Sequence, residues 1–213
     1  MEPSPNHELN RVLFDTEVAI FGIVDIGRGV KVAAKTAERH LAEGADFIDL
    51  HLGSGWLDGA VDQLALRDVI TAVSQVTSGR VAMLNDDAST LPEATWRLLA
   101  FVRKAADLGG DHDIVVDVAT NHVVAKCCST AGSTFSDSLA CLRQHRGQLG
   151  EFALHLCLPE AKVSMSKGEP STKGVIAAEV ALAVIEGAQL LSVHEVHSAV
   201  KARDEIVKIR HAD

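Results

Sequence analysis

The chain has 213 residues, 47% of them hydrophobic and 23% charged, a composition typical of one soluble globular domain spanning 1–213. Its formal charge of −9, from 29 acidic and 20 basic residues, argues against a broad nucleic-acid surface, because phosphate binding relies on clustered Lys and Arg. No apolar run reaches the roughly 18 to 20 residues that cross a bilayer, and the N-terminus lacks the pattern of a secretion signal, so we expect a cytoplasmic protein without membrane contact.

Apolar periodicity predicts alternating strands and helices through the first half of the chain. The run from Val18 to Asp25 is almost continuously apolar, which is typical of a strand buried on both faces. Apolar residues then follow at helical spacing from Val30 up to Gly44, a residue suited to end a helix. The later elements predicted in this half are a strand at 46–52, a helix at 59–76, a strand at 80–84, a helix at 91–108 and a strand at 114–118.

The second half continues the alternation after a segment, 119–132, that we predict to be mostly loop. The elements predicted beyond it are a helix at 136–145, a strand at 152–156, a weaker strand at 162–165, a helix at 172–186, a strand at 189–193 and a helix at 196–209.

The order of these elements predicts the fold class. Strands that alternate with helices every 25 to 35 residues or so indicate βαβ units and a parallel sheet. We predict an α/β, TIM-barrel-like parallel (β/α) fold in a shortened or incomplete barrel, because a full barrel usually takes about 250 residues. An open doubly wound sheet fits the same strands. No Gly-x-Gly-x-x-Gly follows the first strand, so a Rossmann dinucleotide site has no support.

Cysteine and histidine spacing does not indicate a metal site. The four cysteines include no Cys-x-x-Cys pair, and the ten histidines include no His-Glu-x-x-His pair. We expect reduced thiols, mostly buried.

Polar residues collect where the predicted strands end, which is where parallel α/β folds place their sites. These candidates are Asp25, Asp49 with His51, Asn85-Asp86-Asp87, Asp117, and Ser192-Val-His194-Glu195. A ring of acids there could hold Mg²⁺ or an amino-heterocycle, since carboxylates accept hydrogen bonds from ring N–H and NH₂ groups. His194 lies between a strand and a helix, where it could meet an anion. The alternative is that each Asp only caps the helix that follows it.

Three segments, taken in order, resemble a known family. Residues 174–196 have an Ala-rich helix, Gly-Ala, and then Ser-Val-His-Glu-Val; residues 21–25 read Phe-Gly-Ile-Val-Asp; residues 42–49 read Ala-Glu-Gly-Ala-Asp-Phe-Ile-Asp. They resemble the corresponding motifs of the dihydropteroate synthases, which are pterin-binding α/β barrels. The likeness is good over about 18–56 and 162–209.

The resemblance implies a function. Family members condense 6-hydroxymethyl-dihydropterin pyrophosphate with 4-aminobenzoate in folate biosynthesis, with Mg²⁺ and cationic groups on the departing pyrophosphate. They are expected to form homodimers. Carried over by position, pterin contacts fall on Asp86, Asp117 and Lys167, and pyrophosphate contacts fall on Asp25 and His194, with Asp25 as the metal ligand.

The sequence also departs from the family pattern. The loops after the first two strands are replaced by residues 26–29 and 51–56, and Ser192 stands where the family has an anion-binding Arg. Three functions therefore stay open: an active transferase of this type, a non-catalytic homologue that binds a pterin or acts as an interaction protein, and another barrel enzyme acting on a small phosphorylated metabolite.

Overall fold

The computed structural model describes residues 17–51, 63–78, 80–82, 113–116, 123–126, 135–136, 139–140, 143, 153–158 and 172–212. Its strands are β1 (Ala19–Asp25), β2 (Phe47–His51), β3 (Val81–Ala82), β4 (Asp113–Val116), β5 (Val123–Lys126), β6 (Ala153–Cys157) and β7 (Leu190–Val193). Its longer helices are α1 (Val30–Ala42), α2 (Gln63–Thr77), α3 (Thr172–Ile185) and α4 (Val196–Arg210), and a 3-10 turn (Ile26–Arg28) follows β1. The predicted helix at 91–108 and strand at 162–165 lie outside the described residues.

The described strands form one sheet in the order β3-β2-β1-β7-β6-β5-β4. All neighbours are parallel except β4 and β5, which are antiparallel. β1, the first of the described strands in sequence, is thus the neighbour of β7, the last of them, at the centre of the sheet. A helix follows each of the two strands, as in a barrel. The predicted α/β, TIM-barrel-like fold is confirmed.

The segment predicted to be mostly loop, 119–132, contains a strand that the sequence reading did not include, β5. Val123 and Val124 are β-branched residues that favour strands, and β5 pairs with β4 from Val116↔Val123 to Asp113↔Lys126. An antiparallel pair needs only a short connection, whereas the spacing of the other strands led us to expect a helix before each new strand.

Two apolar clusters join the helices to one side of the sheet. Side chains of α1 and α2 cover the β1–β3 region, where Val24, Ile48 and Leu50 are buried. Side chains of α3 and α4 cover β7 and β6, where Leu191 and Leu156 are buried. Because successive strand residues point to opposite sides, we call this helix-covered side the outer face.

Helix α1 packs so closely against β1 that position 22 must be glycine. A Cβ placed there would lie 2.7 Å from Cβ of His40, which is too close for any other residue without movement. His40 is buried on α1, and its Nε2 lies 3.1 Å from the Ile23 carbonyl oxygen. Burial, and then the charge of Arg39, lowers the pKa of His40.

A buried ion pair attaches α4 to the amino ends of β1 and β2. The Oδ2 atom of Asp46 accepts hydrogen bonds from the Ile20 backbone N–H at 2.8 Å and from Arg203 Nη1 at 2.5 Å. Burial raises the pKa of Asp46, although Arg203 acts in the opposite direction. The contact fixes the helix that begins just after β7. None of the helices in the described part of the chain has the length and apolar character needed to span a membrane.

Candidate functional site

The side of the sheet opposite the helices, which we call the inner face, carries a buried polar group on three strands. Strand register pairs Ile23 with Asp49 and Phe21 with Ser192. Paired residues of parallel strands point to the same side, so Asp49 of β2 and Ser192 of β7 flank β1 on one face. His155 of β6 joins them there, and all three are fully buried.

Three hydrogen bonds connect these groups into what we call the inner polar chain: His51, Asp49, Ser192 and His155. Oδ2 of Asp49 is 3.0 Å from His51 Nε2 and 2.7 Å from the Ser192 hydroxyl. The Ser192 hydroxyl is in turn 2.8 Å from His155 Nε2. A buried carboxylate is costly unless hydrogen bonds replace its hydration, and two of them converge on this oxygen.

The geometry assigns the protons along this chain. A carboxylate only accepts hydrogen bonds, so the Ser192 hydroxyl and His51 Nε2–H both donate to Asp49. Since the Ser192 proton is used in that bond, His155 Nε2 donates to the Ser192 oxygen. Two donors therefore point at the Asp49 carboxylate, and the third, His155 Nε2–H, points at the Ser192 oxygen.

Ser192 and His155 do not form a nucleophile–base pair of the hydrolase type. Such a pair needs an accessible hydroxyl that gives its proton to the imidazole. Ser192 is 0% exposed and gives its proton to Asp49 instead. The pair orients the carboxylate.

Apolar residues share the inner face with the polar chain. Phe21 of β1 and its register partner Phe47 of β2 stack with ring centroids 5.2 Å apart, and both are fully buried. Exclusion of water from this side strengthens a hydrogen bond to the carboxylate.

The carboxyl ends of β2, β1 and β7 bring three of the sequence candidates to one edge of the sheet. Asp25 is the register partner of His51, and His194 directly follows β7, which is the other neighbour of β1. The His51 and His194 rings lie nearly perpendicular, with centroids 6.5 Å apart. The strand-end rule thus correctly placed these residues together.

Capping occupies two of the predicted acids. Asp25 Oδ1 accepts from the Gly27 backbone N–H at 2.9 Å, and its Oδ2 lies 3.4 Å from Arg28 Nε. Glu195 accepts from the Ser198 backbone N–H at 2.9 Å and caps α4. The helix-capping alternative therefore describes what these two carboxylates do in this structure.

The remaining predicted contacts are untested. Asp86, Asp117 and Lys167 lie outside the described residues. Within the described ranges, no three His, Cys, Asp or Glu side chains group closely enough to hold a metal ion. An Arg beside Asp25 also competes with a cation for that carboxylate. Magnesium at Asp25 stays a prediction.

Sequence reasoning missed His155 and did not predict the contacts of Ser192. The signal at His155 was a histidine in the middle of an otherwise apolar strand, Ala-Leu-His-Leu-Cys. Ser192 was included among the strand-end candidates and noted as standing where the family has an Arg, but the sequence did not indicate that its hydroxyl connects two other strands. Both roles depend on contacts between strands far apart in sequence.

Comparison with solved structures identifies the fold. No family model and no curated protein matches the chain. The dihydropteroate synthase of Xanthomonas albilineans, in complex with indole-2-carboxylic acid and 6-chloroguanine, is 17% identical, with a TM-score of 0.64, over 92% of this chain and 93% of that one. The Stenotrophomonas maltophilia enzyme, with imidazole in its active site, is 18% identical with a TM-score of 0.59, and the Yersinia pestis enzyme, with a pterine-sulfa conjugate, is 18% identical with a TM-score of 0.58. Each of these two covers 92% of this chain and 94% of its own. The structural likeness predicted from the sequence is confirmed, for the fold.

Proposed function

We propose that this chain binds a pterin ring at the carboxyl edge of β2, β1 and β7. The proposed reaction joins 6-hydroxymethyl-dihydropterin pyrophosphate to 4-aminobenzoate, with pyrophosphate as the leaving group. The observation that carries the proposal is the buried Asp49 carboxylate, oriented by Ser192 and His51 in a fold shared with dihydropteroate synthases. The Yersinia pestis protein holds a pterine-containing ligand in that fold.

The chemistry of the site favours a ligand rich in hydrogen-bond donors. A pterin presents an NH₂ group and ring N–H groups, and a carboxylate is the side chain that accepts from such groups. Hydrogen bonds to a charged partner contribute about 1.5–3 kcal/mol. Asp49 is buried and held in one orientation. Its carboxylate therefore favours a ring that offers hydrogen-bond donors over a ring that offers only acceptors.

The edge of the site supplies partners for the reacting end of the ligand. His194 is exposed where β7 gives way to α4, so its imidazole could contact a departing pyrophosphate. Condensation is a displacement in which the amine nitrogen attacks the methylene carbon and the pyrophosphate leaves with the electron pair. The protein's part is to hold the two reactants in line. Magnesium would accompany the pyrophosphate, as in the predictions from sequence.

A second candidate, a binding protein without transferase activity, is favoured by two specific observations. Ser192 replaces the anion-binding Arg expected at its position, and its hydroxyl is engaged with Asp49. Asp25 is engaged with Gly27 and Arg28. Both features leave fewer groups for pyrophosphate than the transferase needs.

Titration calorimetry with 6-hydroxymethyl-dihydropterin and its pyrophosphate, with and without Mg²⁺, tests the proposal. We expect Asp49→Asn to weaken pterin binding by about 10- to 100-fold, the equivalent of one charged hydrogen bond. Asp68→Asn, the same chemical change at an exposed position of α2, is the control and should bind like the wild type. No heat of binding to the wild type at millimolar ligand would exclude both candidates. Binding without formation of the 4-aminobenzoate adduct, followed by chromatography, would select the second.

A further inference from the structure

His51 contacts both groups that the proposed ligand must reach. Its Nε2 lies 3.0 Å from Oδ2 of Asp49, and its ring meets the His194 ring at an angle of 79°, with centroids 6.5 Å apart. The proposed function puts the pterin ring at Asp49 and the pyrophosphate at His194. A ligand that spans these two residues therefore needs the space in which the His51 imidazole lies.

The carboxylate is closed to solvent in the unliganded site. The Asp49 side chain is 0% exposed, whereas that of His51 is 21% exposed. A buried carboxylate needs hydrogen-bond donors in place of water, and His51 supplies one of them from the edge of the sheet. A ligand can therefore form a hydrogen bond with Asp49 only after a neighbouring side chain has moved.

Of the two donors on Oδ2 of Asp49, His51 is the easier to displace. Ser192 is fully buried on β7 and donates at 2.7 Å. His51 is the last residue of β2, reaches the surface and makes the longer bond, at 3.0 Å. Side chains at the surface change rotamer rapidly, and an imidazole that turns outward regains hydrogen bonds to water. Ser192 keeps the carboxylate in place during this change.

We propose that His51 is a specificity-determining residue that occupies the ligand's hydrogen-bond position on Asp49 until an N–H group of the ligand replaces it. The inference rests on the proposed function. The Nε2–H of His51 and a ring N–H of a pterin are donors of the same kind, so Asp49 keeps its hydrogen bonds before and after binding. A ring that offers only acceptors cannot make this exchange, because it would leave the buried carboxylate with one donor fewer.

Calorimetry with 6-hydroxymethyl-dihydropterin tests the exchange. His51→Ala removes the competing donor, so the pterin should bind about three- to tenfold more tightly, because one hydrogen bond no longer has to be replaced. His51→Gln keeps an amide N–H for Asp49 and should bind like the wild type. His211→Ala, at an exposed histidine beyond the end of α4, is the control for loss of an imidazole elsewhere and should also bind like the wild type.

NMR spectroscopy follows the bond itself in the wild type. The Nε2–H of His51 should give a ring proton–nitrogen correlation that its bond to Asp49 protects from exchange, assigned by its absence in His51→Gln. Saturation with the pterin should abolish this protected signal. A signal that persists at saturating pterin would overturn the inference. Weaker or unchanged binding by His51→Ala would overturn it too, since the imidazole would then not compete with the ligand.

These results separate the inference from the function on which it rests. If the wild type binds the pterin and the protected His51 signal stays, the inference is wrong and pterin binding stands. If the pterin abolishes that signal but no adduct with 4-aminobenzoate forms, the inference stands with a binding protein. If the wild type binds no pterin, the proposed function fails and the inference fails with it.

Discussion

The inner and outer faces of the same strands differ sharply in chemistry. On the outer face, alternate residues such as Ile48 and Leu191 are buried against helices, which stabilises the fold by removing apolar area from water. On the inner face, Asp49, Ser192 and His155 are buried to the same extent and are joined by hydrogen bonds. An apolar core would serve stability at least as well. The proposed binding of a ligand at this face would give the inner polar chain a role beyond stability.

Truncation on the outer face should give the largest loss of stability. Leu191→Ala removes a fully buried side chain from the contact of β7 with α3 and α4 and should cost about 2–5 kcal/mol of unfolding free energy. Leu182→Ala, at a leucine that is 43% exposed on α3, is the matched control and should cost much less. Urea denaturation measures both. Equal losses would mean that the outer-face cluster is not packed as described.

Removal of the central hydroxyl on the inner face should cost less stability but affect binding. Ser192→Ala leaves the His155 Nε2–H without its acceptor and takes one donor from Asp49, which should cost about 1–3 kcal/mol. Ser198→Ala, in the first turn of α4, should stay within about 0.5 kcal/mol of the wild type. Denaturation together with pterin calorimetry checks this. A Ser192→Ala variant with unchanged stability and unchanged affinity would show that the inner polar chain has neither role.

The smallest expected effect concerns His40, which packs against β1 on the outer face. Its substitution should change how the stability of the fold depends on pH. Because burial lowers its pKa in the folded chain, the unfolded chain binds a proton there first as the pH falls below 6.5. The stability contributed by neutral His40 is present above that pH and is lost as the pH drops toward the lower folded value. Asp46, with its raised pKa, acts in the opposite sense at lower pH, but equally in both proteins.

Comparison of His40→Gln with the wild type isolates this contribution. Denaturation from neutral pH down to about pH 5 should show a shallower loss of stability in the variant. His197→Gln, at an exposed position of α4, should retain the wild-type slope. If the unfolding free energy falls with pH at the same slope in His40→Gln and in the wild type, His40 takes up its proton equally readily in the folded and unfolded chains.

The predictable part of the fold followed from periodicity and from the residues that end elements. The apolar run before Asp25 gave β1, and helical spacing from Val30 gave α1, each within about two residues of the observed bounds. The antiparallel β5 was not predictable from that pattern, because a short connection leaves no helical signal between strands. Asp25, His51 and His194 were expected at one edge because the carboxyl ends of parallel strands meet there.

Apart from the antiparallel β5, the sequence by itself determined the order of the described strands and helices, and with it the edge where the polar strand ends collect. Only the tertiary structure decided what those polar residues do. Asp25 caps a turn, whereas Asp49, which the sequence offered as an equal candidate beside His51, accepts hydrogen bonds from Ser192 and His51. The physical reason is that Asp49 and Ser192 are separated by 143 positions in the chain but by one intervening strand in the sheet. Local periodicity contains no information about such a contact.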